Sequence, residues 1–196
     1  MNILVIKSSV FGDNGNSSSL VNSQLATLQA QHPDATVVVR DLSTDPIPHL
    51  DGERVGAFFT PADQRSEDQQ AVDAFSMALI DELKTADHIV LGLPMYNFGI
   101  PSQLKSWIDH VARAGVTFRY TENGPQGLLD DKPVTVLSAR GGLYAGTEND
   151  TVTPYIKLFF GFIGITDVNF VYAEGLNMGD EAKEKAMSEA QAALAG

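Results

Sequence analysis

The chain has 196 residues, 43% hydrophobic and 19% charged, which suits a folded unit with a sizeable core and excludes a disordered chain or a mini-protein. Thirteen Lys and Arg against twenty-five Asp and Glu leave a formal charge of −12, which removes the electrostatic basis for holding a nucleic-acid backbone, so no nucleic acid is expected as a partner. The absence of Cys excludes disulfides, thiolate metal sites, iron–sulfur clusters and Cys nucleophiles, and fits a cytoplasmic protein. Residues 1–6 lack the basic stretch and apolar segment of a leader, and no later run approaches the ~18 apolar residues of a membrane span, so no membrane association is expected.

Five short apolar runs read as strands, at residues 3–6, 35–39, 88–93, 134–137 and 168–172. They are continuous rather than alternating, the pattern of parallel strands covered on both faces. Segments of helical period lie between them. Leu20, Val21, Leu25 and Leu28 form a stripe after the first strand, and Val72, Phe75, Leu79, Ile80 and Leu83 a stronger one within residues 69–83. Leu104, Trp107, Ile108 and Val111 follow the third strand, residues 155–162 the fourth, and an Ala-rich helix over 181–194 closes the chain. Each stripe follows the i, i+3, i+4 spacing that buries one helix face. Strand–helix alternation with right-handed crossovers predicts an α/β fold, a three-layer doubly wound sheet of five parallel strands. The expected order is 2-1-3-4-5, flavodoxin-like, in a single domain over 1–196 with its ligand crevice at the carboxyl ends of the strands.

Two connections exceed simple turns: residues 41–66, with Pro46, Pro48 and Pro61, and residues 115–131, where Asn123-Gly124 marks a turn. Insertions of this length are more often functional than idle. Phe58 and Phe59 in the first are expected to edge the pocket or to form dimer core.

The crevice rule directs attention to three loops. The first, after strand one, is rich in hydroxyls, amides and glycines, among them Ser9, Gly15, Asn16 and Ser17. It delivers a helix N-terminus whose free N–H groups suit a phosphate. The plainer alternative is that Ser17 or Ser18 merely caps that helix. Neither the Gly-Lys-Ser/Thr ending of a triphosphatase nor the G-x-G-x-x-G of a dinucleotide fold is present.

The second loop, Pro94-Met95-Tyr96-Asn97-Phe98-Gly99-Ile100-Pro101-Ser102, sets aromatics and an amide beside Gly and Pro. Backbone N–H groups and ring faces there suit a flat heterocycle such as a flavin. The alternative is a helix start capped by Ser102, with the aromatics as packing. The third loop carries Ala139, Arg140, Gly141 and Gly142. Consecutive glycines let amides approach an acceptor closely, such as the flavin O2 edge, while Arg140 is alternatively a surface charge.

Other chemistries lose support. A phosphoacceptor receiver needs acidic residues where Ser8, Ser9 and Pro94 stand, and the G-x-S-x-G elbow of a Ser hydrolase is absent. His32, His49, His88 and His110 are scattered without metal-ligand spacing, so no metal is expected.

The segment Pro94-Met95-Tyr96-Asn97-Phe98, the triplet Arg140-Gly141-Gly142, the stretch 111–125 from Val111 through Tyr120 to Pro125, and Gly161-Phe162-Ile163-Gly164 resemble the FMN-dependent NADH-azoreductases of the bacterial flavodoxin-like quinone reductase family, over nearly the whole chain. The resemblance implies one tightly bound FMN per chain, with NADH as donor. It assigns Ser9, Gly15, Asn16 and Ser17 to the FMN phosphate, Pro94, Met95, Tyr96, Asn97 and Phe98 to the isoalloxazine, and Ala139, Arg140, Gly141 and Gly142 to its pyrimidine edge. Tyr120 and Phe162 are implied as aromatic walls of the substrate pocket, in a homodimer whose sites borrow surface from the partner. Trp107 is expected among the exposed aromatics of that interface.

The implied activity is two-electron, ping-pong transfer from NADH through FMN to quinones, or to azo compounds that are cleaved to amines, with no side chain acting as acid or base. Gly15 and Ala139 stand where family members often carry Ser, each expected to forgo about 1 kcal/mol of side-chain hydrogen bonding. A single-electron carrier of the flavodoxin type, whose acidic surface docks basic partners, and a scaffold without cofactor are the competing readings. The net charge disfavours anionic dyes as substrates unless Arg113, Arg119 or Arg140 reverses the local field.

Overall fold

The computed structural model describes residues 1–194, so the last two residues of the expected 1–196 unit lie outside it. The chain runs β1 (Asn2–Lys7), α1 (Asn16–Gln31), β2 (Thr36–Asp41), α2 (Gly52–Phe59), α3 (Glu67–Thr85), β3 (His88–Pro94), α4 (Ser102–Val111), β4 (Phe118–Thr121), β5 (Gly124–Gly127), β6 (Val134–Ala139), α5 (Val152–Ile163), β7 (Val168–Ala173) and α6 (Asp180–Ala193). The main sheet has five parallel strands in the order β2-β1-β3-β6-β7, and β4 and β5 form a separate antiparallel hairpin. The numbering therefore reads 2-1-3-6-7 rather than the expected 2-1-3-4-5. The reason is a hairpin of short, polar, Pro- and Gly-containing strands that hydrophobic runs do not reveal.

Helices cover both faces. One core cluster packs α3, α4 and α5 against the sheet through residues such as Leu79, Ile80, Leu83, Trp107, Ile156 and Phe160. The other holds α1 and α6 on the opposite face through Leu20, Val21, Leu28, Ala190 and Leu194. Burying such apolar area is the main favourable term of folding. β1, β3 and β6 are buried along nearly their whole length, as continuous apolar runs predict. β2 departs from that expectation: it is an edge strand, and Val38 and Val39 remain exposed. Trp107 also departs, being 1% exposed and packed edge-on to Phe159, because it lies on the sheet-facing stripe of α4.

The first insertion is ordered around α2, which Asp51 caps by accepting from the Arg54 amide at 2.9 Å. α3 then begins with a full capping box between Ser66 and Gln69, a reciprocal pair that satisfies two otherwise unpaired donors. α2 is pinned to α3 and α4 by charge: Asp73 pairs with both Arg65 and Arg113 at 2.6 Å, and the Arg113 guanidinium lies 3.8 Å from the Phe58 ring centroid. Phe58 is thus part of a half-buried brace. Phe59 is exposed. No helix among the described residues is long and apolar enough to cross a membrane.

Candidate functional site

Three strands of the sheet end at one cavity of about 180 Å³, lined by Ser9, Phe11, Asn16, Ser17, Pro94, Met95, Tyr96, Ala139, Arg140, Gly141, Leu176 and Asn177. A second cavity of about 220 Å³ adjoins it through Met95, Gly141 and Asn177 and adds Asn97, Phe98 and Tyr144. The crevice at the carboxyl edge of a doubly wound sheet therefore brings together residues of all three predicted loops. Gly15 lies just outside this lining, and Gly142 neighbours it.

At the phosphate-type end, α1 starts after Gly15 with no side-chain cap. Neither Ser17 nor Ser18 serves as one, so the capping alternative fails. The Ser17 hydroxyl is 1% exposed, has no hydrogen-bond partner and belongs to the cavity wall. A buried donor left unmade is costly, and free helical N–H groups with the positive dipole end stand beside it. This end of the cavity fits a phosphate group. The loop before it is held from below: Ser8 Oγ donates to the Gly92 carbonyl at 2.6 Å and Lys7 pairs with Asp13 at 2.6 Å.

Gly15 has a reason in this geometry. A Cβ there would fall on the Ser9 side chain. Ser9 Oγ in turn accepts from the Phe11 amide at 3.2 Å and lies 3.3 Å from the Tyr96 hydroxyl, which also accepts from the Val10 amide at 3.3 Å. Tyr96 therefore ties the second loop to the first, and its hydroxyl is spent on that link.

The second loop turns sharply after β3. Tyr96 and Gly99 exchange backbone hydrogen bonds at 2.9 and 3.0 Å, and the two central residues, Asn97 and Phe98, have φ of 50° and 61°. Left-handed backbone is tolerated by Asn but strained for a bulky Phe. The turn presents the half-exposed Phe98 ring at the rim, edge-on to Tyr144 at 5.5 Å. The aromatics thus edge the cavity. Ser102 does not cap α4, since its hydroxyl bonds Gln103 instead.

The third loop corrects one reading. Arg140 is neither a surface charge nor a free cation: its guanidinium is 1% exposed and donates to Ser138, Thr153 and Glu174, pairs with Asp150 at 3.0 Å, and sits 4.8 Å from the Tyr172 ring centroid. Burial pushes the Asp150 carboxyl up, but hydrogen bonds from Arg140 and Thr153 outweigh that and hold it below the usual carboxylate range. What the loop offers the cavity is backbone, because the amides of Gly141 and Gly142 have no partner among the described residues. Side chains are excluded there: a Cβ on Gly141 would lie 2.5 Å from Asn177 Nδ2, and one on Gly142 2.7 Å from the Tyr144 ring.

Leu176 and Asn177 were not anticipated. They follow β7, whose loop carries no phosphate or aromatic signature, and they reach the cavity because their amides pair with the Arg140 and Gly141 carbonyls at 3.1 and 3.0 Å. Tyr120 and Phe162 are not brought to the cavity within one chain. They cluster with Phe118, whose ring lies 4.2 Å from Phe162 and 5.6 Å from Tyr120. α5 runs back from the carboxyl edge of the sheet, so its last turn, with Phe162, ends where β7 begins, at the amino edge. Phe58 and Phe59 are not among the lining residues either.

A flavin mononucleotide fits this set of donors: an unpartnered hydroxyl and helix N-terminus at one end, aromatics and a turn in the middle, and bare glycine amides at the other. The sequence profile of the flavodoxin-like fold family Flavodoxin_2 matches residues 1–196. An FMN-dependent NADH:quinone oxidoreductase of Alcanivorax borkumensis is 81% identical over 194 residues, 99% of this chain and 98% of that protein. Among solved structures, an azoreductase from Bacillus anthracis str. Sterne has a TM-score of 0.90 at 29% identity, covering 100% of this chain and 97% of that one. An FMN-dependent NADH-azoreductase from Bacillus anthracis str. Ames Ancestor, in complex with FMN, has a TM-score of 0.88 at 28% identity, covering 98% and 97%.

Proposed function

The chain belongs to the Flavodoxin_2 family of the flavodoxin-like fold, and from that premise we propose how its single domain, residues 1–196, works as an FMN-dependent NADH:quinone oxidoreductase with azoreductase activity. The observation that carries the reading is the orphaned Ser17 hydroxyl at the uncapped start of α1, across the cavity from the unpaired amides of Gly141 and Gly142. Relatives named as FMN-dependent NADH:quinone oxidoreductases align over nearly their full length, which disfavours a one-electron carrier and a scaffold without cofactor.

When bound, FMN would supply the two-electron hydride chemistry between NADH and a quinone, or over two rounds between NADH and an azo bond cleaved to amines. The chain holds and orients. Ser9, Asn16, Ser17 and the amides around Gly15 take the phosphate. Pro94, Met95, Tyr96, Asn97 and Phe98 border the isoalloxazine, Ala139 lines the cavity at its pyrimidine edge, and Gly141 and Gly142 offer that polar edge backbone N–H groups that favour developing negative charge there. Arg140 lines the cavity wall, its backbone bonded to the β7 loop and its side chain committed to Asp150 and Glu174. Met95, Phe98 and Tyr144 wall the slot and displace water from it. Of the titratable side chains lining the slot among the described residues, Tyr96 is tied to Ser9 and Arg140 to Asp150 and Glu174; no side chain is assigned as acid or base, and protons come from solvent.

The working unit is a homodimer. Tyr120 and Phe162 lie at the amino edge of their own sheet and serve as substrate walls only if they meet the cavity of a partner chain. A reaction that draws on NADH fits a cytoplasmic protein. One shared slot for donor and acceptor gives parallel double-reciprocal lines when NADH is varied at several fixed quinone concentrations, and intersecting lines would refute the shared slot. Anaerobic NADH should also bleach the FMN-loaded protein in one two-electron step.

A further inference from the structure

Glu174, the first residue after β7, lines neither cavity, yet the loop that offers its amides to the flavin edge is built on one of its oxygens. Oε1 accepts from the amides of Tyr144 and Ala145, both at 2.8 Å, and from Arg140 Nη1 at 3.4 Å. Around this point the two loops are zipped together by backbone. The Arg140 amide donates to the Ala173 carbonyl at 2.9 Å, and the amides of Gly175, Leu176 and Asn177 donate to the carbonyls of Gly142, Arg140 and Gly141 at 3.0 to 3.1 Å. The Glu174 side chain is 16% exposed, so its hydrogen bonds are sheltered from competition by water.

Two consequences follow for the cavity. Every carbonyl of residues 140–142 is turned toward the β7 loop, which leaves the Gly141 and Gly142 amides facing the other way, unpaired. Fixing the Tyr144 amide also fixes the ring that meets Phe98 edge-on at 5.5 Å and closes the rim of the second cavity. A site holds its ligand geometry only when the residues behind it are themselves locked.

We propose that Glu174 is a positioning residue for the flavin ring. It acts through geometry, as a single acceptor that reaches both the Tyr144 and Ala145 amides, and not through its negative charge. The inference rests on the FMN reading of the cavity, and it predicts a defect confined to the ring end of the ligand.

The test uses two variants that separate reach from charge. Glu174→Asp keeps the charge but is one methylene short of both amides, while Glu174→Gln keeps the reach of Oε1 and loses the charge. Affinity is measured by flavin fluorescence quenching for FMN and for riboflavin, which lacks the phosphate. Glu174→Asp should weaken both ligands by the same factor, about tenfold or more, and Glu174→Gln should bind both within about threefold of the parent. Hydrogen exchange on the flavin-free proteins should show the Tyr144 and Ala145 amides protected in the parent and in Glu174→Gln, and fast in Glu174→Asp.

Loss confined to FMN would move the effect to the phosphate end and overturn the proposal. So would a Glu174→Gln defect matching or exceeding that of Glu174→Asp, since charge would then be the cause. Failure of the parent itself to bind FMN would instead sink the functional reading, with the exchange data still reporting on the latch. Unchanged circular dichroism and thermal midpoints without flavin identify the folded variants to compare.

Discussion

Ser17 and His110 are both buried polar residues with an unpartnered atom, and their surroundings give them opposite meanings. The Ser17 hydroxyl faces a cavity at a helix start, so its missing partner is a ligand. Ser17→Ala should weaken FMN about fivefold to tenfold, the worth of one hydrogen bond to a charged group, while riboflavin affinity stays unchanged. The same variant should be slightly more stable than the parent when flavin-free, because an unsatisfied hydroxyl has gone, and calorimetry of the two apoproteins checks this.

His110 faces no cavity. Its Nδ1 donates to the Ser106 carbonyl at 2.9 Å, Nε2 is buried without a partner, and the ring packs perpendicular to Phe58 and Phe75. Burial holds its pKa below the ordinary histidine value of 6.5; the Ser106 carbonyl opposes this, and the nearby Arg54 and Arg113 reinforce it. A histidine depressed in the folded state contributes stability that is complete above its unfolded pKa and is lost as pH falls through and below 6.5. Unfolding midpoints should therefore drop between pH 7.5 and 5.5, and His110→Gln should flatten that drop. An equal pH slope in the variant would assign the loss to other groups.

At the scale of the element, a helix end can be satisfied by a residue distant in the chain as well as by a neighbour. The last carbonyls of α3 point at Lys132, which lies just ahead of β6 and donates from Nζ to Leu83, Lys84 and Ala86 at 2.8, 3.1 and 2.6 Å. An ammonium there also complements the negative end of the helix dipole. Burial lowers the Lys132 pKa, with Asp130 and Asp87 pulling it back. Lys132→Met keeps the stem and removes the donors, and should cost about 1–3 kcal/mol in urea unfolding. An unchanged midpoint would show that water satisfies these carbonyls as well.

Element by element, legibility follows range. The Ser66–Gln69 box is a local signal, spelled out within four residues at the start of α3. The Lys132 cap is a contact across roughly fifty residues, and nothing near Leu83 announces it. Likewise Gly92 reads only as a glycine in a strand, whereas the fold shows that a Cβ there would meet Val21 of α1 at 2.8 Å.

Over the whole molecule, the charge of −12 is not reversed around the cavity by the arginines packed near it in the same chain. Two of the three arginines that could have reversed it are committed, Arg113 to Asp73 and Arg140 to Asp150 and Glu174. Arg119 is exposed on the hairpin and bonds Gln126. Long-range repulsion of polysulfonated dyes thus stands, and quinones should be the better substrates. Turnover of a sulfonated dye should rise as salt is added while that of a neutral quinone stays level, and a dye rate that falls with salt would show a local cationic field.

Hydrophobic periodicity is written residue by residue, so the sequence alone determined the parallel strands, the helices between them, the crevice and the three loops that face it. It also held the bare glycines and the hydroxyl-rich helix start, since these depend on residue type and position along the chain. Tertiary structure alone decided which hydroxyl lacks a partner, that Arg140 turns away into two carboxylates, that Asn177 joins the cavity, and that Tyr120 and Phe162 lie at the other end of their own sheet. Each of these depends on pairing between segments far apart in the chain, where burial and hydrogen-bond partners are set by the packed whole and leave no local mark.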